Sequence, residues 1–243
     1  MARITRAHPL LWVAAFTLIA GSCIVPLRAT SSASFLSRFF SRTGEPLRSY
    51  RAYRMLHAES DRFDKEAWLE AWTELHDGHF SYQVVSERGS SMVRDRVLRA
   101  MLEKEEKLVN SGDREKAELN DDNYEFVDAG QADDGSPVVE LKPRRHDVLL
   151  VDGRMVLTPD GRDLLRVEGR LSKNPSFWTT LVDVVEHFRR ISGVRVPVAT
   201  ESVAKIRFAG TSHLDVRYEY QSINGRPVSE AENLAPSRGT AGR

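Results

Sequence analysis

SHLDVRYEYQS, residues 212–222, alternates without a break: Leu214, Val216, Tyr218 and Tyr220 fall on one face, Asp215, Arg217 and Glu219 on the other. Successive side chains of a strand point to opposite sides, so this run has one dry and one wet face, as in an antiparallel sheet packed on one side. The pattern recurs upstream. In DLLRVEGRL (163–171), Leu165, Val167 and Leu171 oppose Arg166, Glu168 and Arg170; in AKIRF (204–208), Ile206 and Phe208 oppose Lys205 and Arg207. Between such runs stand short turn pairs: Asp77-Gly78, Asp134-Gly135, Asp152-Gly153, Asp160-Gly161, Ser192-Gly193 and Asn224-Gly225. These tolerate the positive φ that two-residue hairpin turns require. The residues therefore read as a mainly β (α+β) chain, an antiparallel meander.

One helix interrupts it. From Ser91 to Asn110 the apolar positions Val93, Val97, Met101 and Leu108, with Leu98, Leu102 and Val109 alongside, follow the helical period, and Gly112 stops the run. Residues 65–75 conflict: Trp68, Leu69, Trp72 and Leu75 fit a helix, whereas as a strand Trp68 and Trp72 share a face with Glu70 and Glu74. The following Asp77-Gly78 turn and the strand-like FSYQVVS favour a hairpin. The expected order is three strands to Glu87, the helix, and six or seven strands from Tyr124 to Ile223.

The 243 residues, 41% apolar and 29% charged, suit a globular protein with its own core and exclude a mainly disordered or multi-spanning one. Lys+Arg and Asp+Glu are both 35, so no overall field favours nucleic acid. Charge is uneven locally. Ile24 to Arg54 carries Arg28, Arg38, Arg42, Arg48, Arg51 and Arg54 against Glu45 alone, and Glu103 to Glu140 holds thirteen acids against four bases. Solvated surface accounts for both, with anionic headgroups the alternative seat for the basic arm.

Residues 1–33 open with Arg3 and Arg6, continue uncharged from Leu10 to Ser22, and end small and polar, as an export signal does. Ala20-Gly21-Ser22 before Cys23 loosely resembles a lipobox, which would make Cys23 a lipidation site; Ala29-Thr30-Ser31 and Ser31-Ser32-Ala33 suit ordinary signal peptidase. Both routes stay open, and both give an exported, periplasmic protein, membrane-anchored if Cys23 is lipidated. A single cysteine makes no internal disulfide. The expected organisation is an export signal (1–33), a basic tether (34–45), one domain (46–225) and a tail (226–243) with too little apolar surface to order itself.

Four stretches carry a resemblance: SYRAYRMLHAES (49–60), RGSSMVRDRVLRAMLEKE (88–105), LLRVEGRL through VAKIRFAG (164–210) and YEYQSING (218–225). Together they resemble exported bacterial proteins of the outer-membrane lipoprotein-sorting (LolA-like) superfamily, over about Pro46 to Arg226. The resemblance implies a curved, incompletely closed antiparallel sheet, a half-barrel wrapped around the main helix, with an apolar cavity between them. It also implies carriage of lipoproteins or sensing of envelope stress. It carries no ligand-contacting residue over.

Chemical signatures are sparse. His76 and His79 lack further ligands at a recognisable spacing, as do the pairs Asp121-Asp122 and Asp133-Asp134, so no metal is expected; His57, His146, His187 and His213 stand isolated in sequence. There is no G-x-S-x-G elbow, and the Gly89-Ser90-Ser91 hydroxyls are expected to cap the helix. Glu105 and Glu106, flanked by Lys104 and Lys107, read as a solvated helix face rather than an acid/base dyad. The aromatics say more: Trp68, Trp72, Phe80, Tyr82, Trp178, Phe208, Tyr218 and Tyr220 fall in expected strands and could line a cleft for acyl chains, or simply fill the core. The expectation is a non-catalytic envelope protein, without cofactor, that binds lipid or a lipidated protein. The alternative is an interaction or sensor module with a filled core.

Overall fold

The computed structural model describes residues 33–42, 44–61, 65–177, 179–207 and 210–234. An N-terminal helix, Ala33–Ser41, precedes strands β1 (Tyr50–Ser60), β2 (Lys65–His76) and β3 (His79–Gly89). The long helix follows over residues 91–110 as one run: Ser91–Val93, a π-helical stretch Arg94–Arg99, and Ala100–Asn110. Then come β4 (Tyr124–Gln131), β5 (Pro137–Pro143), β6 (Val151–Leu157), β7 (Leu164–Leu171), β8 (Thr179–Ile191), β9 (Val194–Ile206), β10 (Gly210–Ile223) and a two-residue β11 (Arg226–Pro227).

The strands form one antiparallel sheet in the order β3-β2-β1-β10-β9-β8-β7-β6-β5-β4, with β11 on β10. It is curved and not closed into a barrel, leaving β3 and β4 as its edges. The meander is therefore interrupted once: β1 pairs with β10 along its whole length, from Tyr50↔Ile223 to Ser60↔Ser212, which joins the first hairpin to the last strand. Residues 65–75 are strand, their burial alternating strictly from Ala67 to Leu75.

Three of the expected turn pairs have positive φ at both residues: Asp77-Gly78 (49° and 78°), Ser192-Gly193 (49° and 86°) and Asn224-Gly225 (49° and 76°). That is what a type I′ turn demands. Asp152-Gly153 is not a turn. It lies inside β6, where Gly153 pairs with Gly169 of β7. A Cβ at Gly153 would run into the Glu168 carbonyl oxygen and the Gly169 Cα, so this glycine serves close backbone approach rather than reversal. Gly153→Ala should cost about 1–3 kcal/mol by overpacking, read as a lower urea midpoint at unchanged slope. An unchanged midpoint would mean that the two strands have room to separate.

The concave face holds two apolar clusters. The first joins β1, β2, β3, β9 and β10 to the long helix through Val97, Leu98, Met101 and Leu102. The second covers β5 to β8 with Val139, Met155, Val167, Val184 and Phe188, and its cover is the N-terminal helix: Phe39 is buried in it, with Leu36 and Phe40 packed alongside. Ser90 stands at the N-cap of the long helix, but no side-chain cap forms; its carbonyl accepts the Arg94 N–H instead.

Both ends of the domain are more ordered than composition implies. Two arginines of the basic arm tie it down: Arg38 Nη1 donates to the Asp160 carbonyl at 3.5 Å and Arg42 pairs with Asp163 at 2.5 Å, which holds the N-terminal helix against the β6–β7 turn. At the other end a helical turn, Glu230–Leu234, is tied down by polar rather than apolar contacts. Asn233 mimics a strand neighbour, accepting from the Tyr220 N–H at 3.0 Å and donating to its carbonyl at 2.9 Å. Arg189 donates to the carbonyls of Glu232 and Asn233. The expected disordered tail thus starts no earlier than 235; residues 235–243, like residues 1–32 of the expected export signal with Cys23, lie outside the described residues.

Candidate functional site

β1 presents Tyr50, Ala52, Arg54, Leu56 and Ala58 to the concave face, so a guanidinium stands in an apolar column. Arg54 is fully buried. Opposite it the long helix presents Val97, Met101, Glu105 and Val109 at four-residue intervals, all buried, which places a carboxylate in the matching position. The two meet in a fork: Nη1 to Oε2 at 2.5 Å and Nη2 to Oε1 at 2.8 Å. Glu105 is therefore not on a solvated face. Arg54 Nη2 also donates to the Tyr50 hydroxyl oxygen at 2.6 Å. Burial alone would push the guanidinium down, but the facing Glu105 carboxylate holds it well above its ordinary value.

Aromatic rings enclose this pair. The Arg54 guanidinium lies 4.6 Å from the Tyr218 ring centroid and 5.3 Å from that of Phe80. Tyr220 stacks beside Tyr218 at 6.3 Å, meets Tyr50 edge-on at 5.8 Å, and donates its hydroxyl to the Pro197 carbonyl at 2.8 Å. Burial pushes the Tyr50 hydroxyl up to about 12, partly offset by Arg54, and raises those of Tyr218 and Tyr220 as well. Of the expected cleft residues, then, Phe80, Tyr218 and Tyr220 do come together, with Tyr82 partly buried at the margin of the same cluster. What they surround is an ion pair rather than an open apolar cleft.

Trp68 and Trp72 go elsewhere. In β2 the dry face is Ala67, Leu69, Ala71, Thr73 and Leu75, so both tryptophans sit on the convex face with Glu70 and Glu74. Trp68 stacks on His57 at 4.7 Å beneath the Arg88 guanidinium, and Trp72 meets Tyr53 edge-on at 5.1 Å beneath Arg51. Trp178 and Phe208 lie outside the described residues.

Further along the concave face, β8 presents Val182, Val184, Glu186 and Phe188, all buried. Neither Glu186 carboxylate oxygen has a hydrogen-bond partner, nor do the buried hydroxyls of Thr200 and Ser202 on the adjacent strand. Burial, then the negative charge of Glu105, raises the Glu186 carboxyl well above its ordinary value; Arg54 acts in the opposite sense.

Two groups of side chains on the convex face have the composition of metal ligands: His57, Glu59 and Glu66, and Glu59, Asp61 and His213, the donor atoms in each lying within 4.8 Å of one another. The fold thus gives acidic neighbours to two histidines that stand alone in sequence; Glu59, Glu66 and Asp61 are exposed. A shallow cleft lies further round the same face over β4 to β7, where Glu168 holds Arg154 and Arg166 in ion pairs across its floor. Among the described residues, no helix is long and apolar enough to cross a membrane. Compared with protein-family models, curated proteins and solved structures, the chain has no match.

Proposed function

We propose that this chain is a non-catalytic, exported cell-envelope protein that binds lipid or a lipidated protein against the concave face of β5 to β8. The observation that carries this reading is the nature of the cover on that face. The long helix is committed to the first apolar cluster, whereas the second is covered by a nine-residue amphipathic helix that buries Phe39 in it. That helix follows directly on the expected export signal. Phe39 meets Phe40 edge-on, Phe40 meets Phe126 edge-on, and the Arg195 guanidinium lies 4.4 Å over the Phe39 ring. Burial pushes Arg195 down to about 10, so this rim is already largely dry.

A helix of this length is marginal by itself and is held by its apolar side chains. An acyl chain gaining about 0.8 kcal/mol for each methylene removed from water can compete with it for the same surface. Phe39→Ala should therefore raise uptake of a fluorescent acyl probe such as dansyl-undecanoate by roughly tenfold, the effect of weakening the cover by about 1.4 kcal/mol. Trp72→Glu, on the convex face, should leave uptake unchanged. No uptake by either wild type or Phe39→Ala would overturn the reading.

One observation favours the second reading, an interaction or sensor module. Tyr53, His57, Trp68 and Trp72 make an aromatic stripe on the convex face of β1 and β2, with Arg51 and Arg88 laid over the tryptophans. Tryptophan and arginine are the residues on which protein interfaces most depend. Loss of partner crosslinking on Trp68→Ala, in a protein that takes up no acyl probe, would establish that reading instead.

A further inference from the structure

Glu186 stands between Val184 and Phe188 on the face proposed as the acyl seat, and an isolated buried carboxylate there is costly. Register places its surroundings: it lies directly opposite Thr200 on β9, with Ser202 two residues further along the same face opposite Val184. Val167 flanks it on the β7 side and Val216 lies beyond Thr200 on β10. The two carboxylate oxygens and the two hydroxyls are buried, and none has a hydrogen-bond partner. Buried polar groups are nearly always paired, so a cluster of such atoms within one patch of an apolar face calls for an occupant.

We infer that Glu186, Thr200 and Ser202 seat the polar end of the bound ligand, and that this end is a protonated primary amine. The inference rests on the ligand-binding reading above. Charge balance argues for a cation. The Arg54 guanidinium is already matched by Glu105 in a two-pronged pair, which leaves the Glu186 carboxyl with no cation to ionise against until a ligand brings one. Donor count argues for an ammonium. It has three N–H donors and no acceptor, and one carboxylate with two hydroxyls offers three acceptors on one side of a sheet. An anionic head would instead meet Glu186 across a dry interior. Position argues for an amphiphile, because Val184 and Phe188, the neighbours of Glu186 on the same face of β8, belong to the cluster that the N-terminal helix covers. A chain anchored at Glu186 would run across Val167 and Met155, the next residues in that row of the sheet.

Calorimetric titration of the whole protein with decylammonium, decanol and decanoate, below their micellar concentrations, tests this. Wild type should bind decylammonium about tenfold tighter than decanol, as expected for hydrogen bonds to a charged group over neutral ones, and decanoate most weakly. Glu186→Gln keeps the shape and removes the charge; it should lose the preference for the amine over the alcohol. Equal binding of amine and alcohol by wild type would overturn the inference while leaving the acyl seat standing. A preference that survives in Glu186→Gln would overturn it too, since the amine would then be held elsewhere. Failure to bind any of the three probes would overturn both the inference and the proposed function.

Discussion

Arg54→Met should destabilise the fold by about 3–5 kcal/mol, a large fraction of the stability of an ordinary domain, because it leaves the Glu105 carboxylate buried without its partner. Both side chains are about 1% exposed, so water cannot take over from the guanidinium. Glu105→Leu should cost a similar amount for the converse reason, and it also strips the charge that holds Arg54 well above its ordinary value. The double variant should recover most of the loss, since exchanging a whole buried pair for apolar residues of similar size is often neutral. Urea unfolding of the four proteins gives the coupling energy directly. Losses that simply add, or single variants costing less than about 1 kcal/mol, would show that the pair is hydrated and that the long helix is held by Leu98, Met101 and Leu102 alone.

That same pair shows why the fold was legible in the sequence and the interior was not. Alternation and turn chemistry act locally, so the strands, the hairpin at Asp77-Gly78 and the helix over 91–110 could all be read from neighbouring residues. The long-range β1–β10 pairing could not, and it is what brings Arg54 beside Tyr218. Yet a signal was there. Arg54 falls in phase with Tyr50, Ala52 and Leu56, Glu105 continues the column Val97–Met101, and Glu186 stands between Val184 and Phe188. A charge in phase with an apolar stripe is a buried polar site in waiting. Reading Glu105 and Glu106 together as a solvated pair hid the phase of each.

Trp68 and Trp72 teach the opposite lesson. Their size suggests the core, but period two puts them with Glu70 and Glu74, and the face that packs on the helix is built from alanine, leucine and threonine. Small residues there let the long helix approach the sheet. Asp152-Gly153 misleads in the same way: the dipeptide has turn chemistry, yet its glycine is used for contact with Gly169. Residue type alone misplaced all three, whereas phase within the strand places the tryptophans correctly.

Glu186 should make the folded state lose stability as pH rises, the reverse of the usual behaviour of a carboxylate in an ion pair. Its carboxyl is raised well above 4.5 in the folded chain, first by burial and then by Glu105, and returns to its ordinary value on unfolding. Between those two values the folded state holds a proton that the unfolded state has released, so stability falls with each step up in pH. Below about pH 4.5 both states are protonated and nothing is lost; as pH rises above that, stability falls with a slope that approaches about 1.4 kcal/mol per unit until the folded carboxyl itself ionises. The charged or titratable groups that act on this one are Arg54 on β1, Glu105 on the long helix, Tyr218 on β10 and Tyr124 on β4. Burial raises the two tyrosines further, to about 12 for Tyr124, so neither titrates in this range. Glu186→Gln removes the titrating proton and keeps every neighbour, so the difference in unfolding free energy between variant and wild type isolates the effect. That difference should grow in favour of the variant as pH is raised from about 5. Parallel curves would mean that Glu186 is ionised in the folded chain and reached by water, and the seat assigned to an ammonium group would then already be satisfied by solvent.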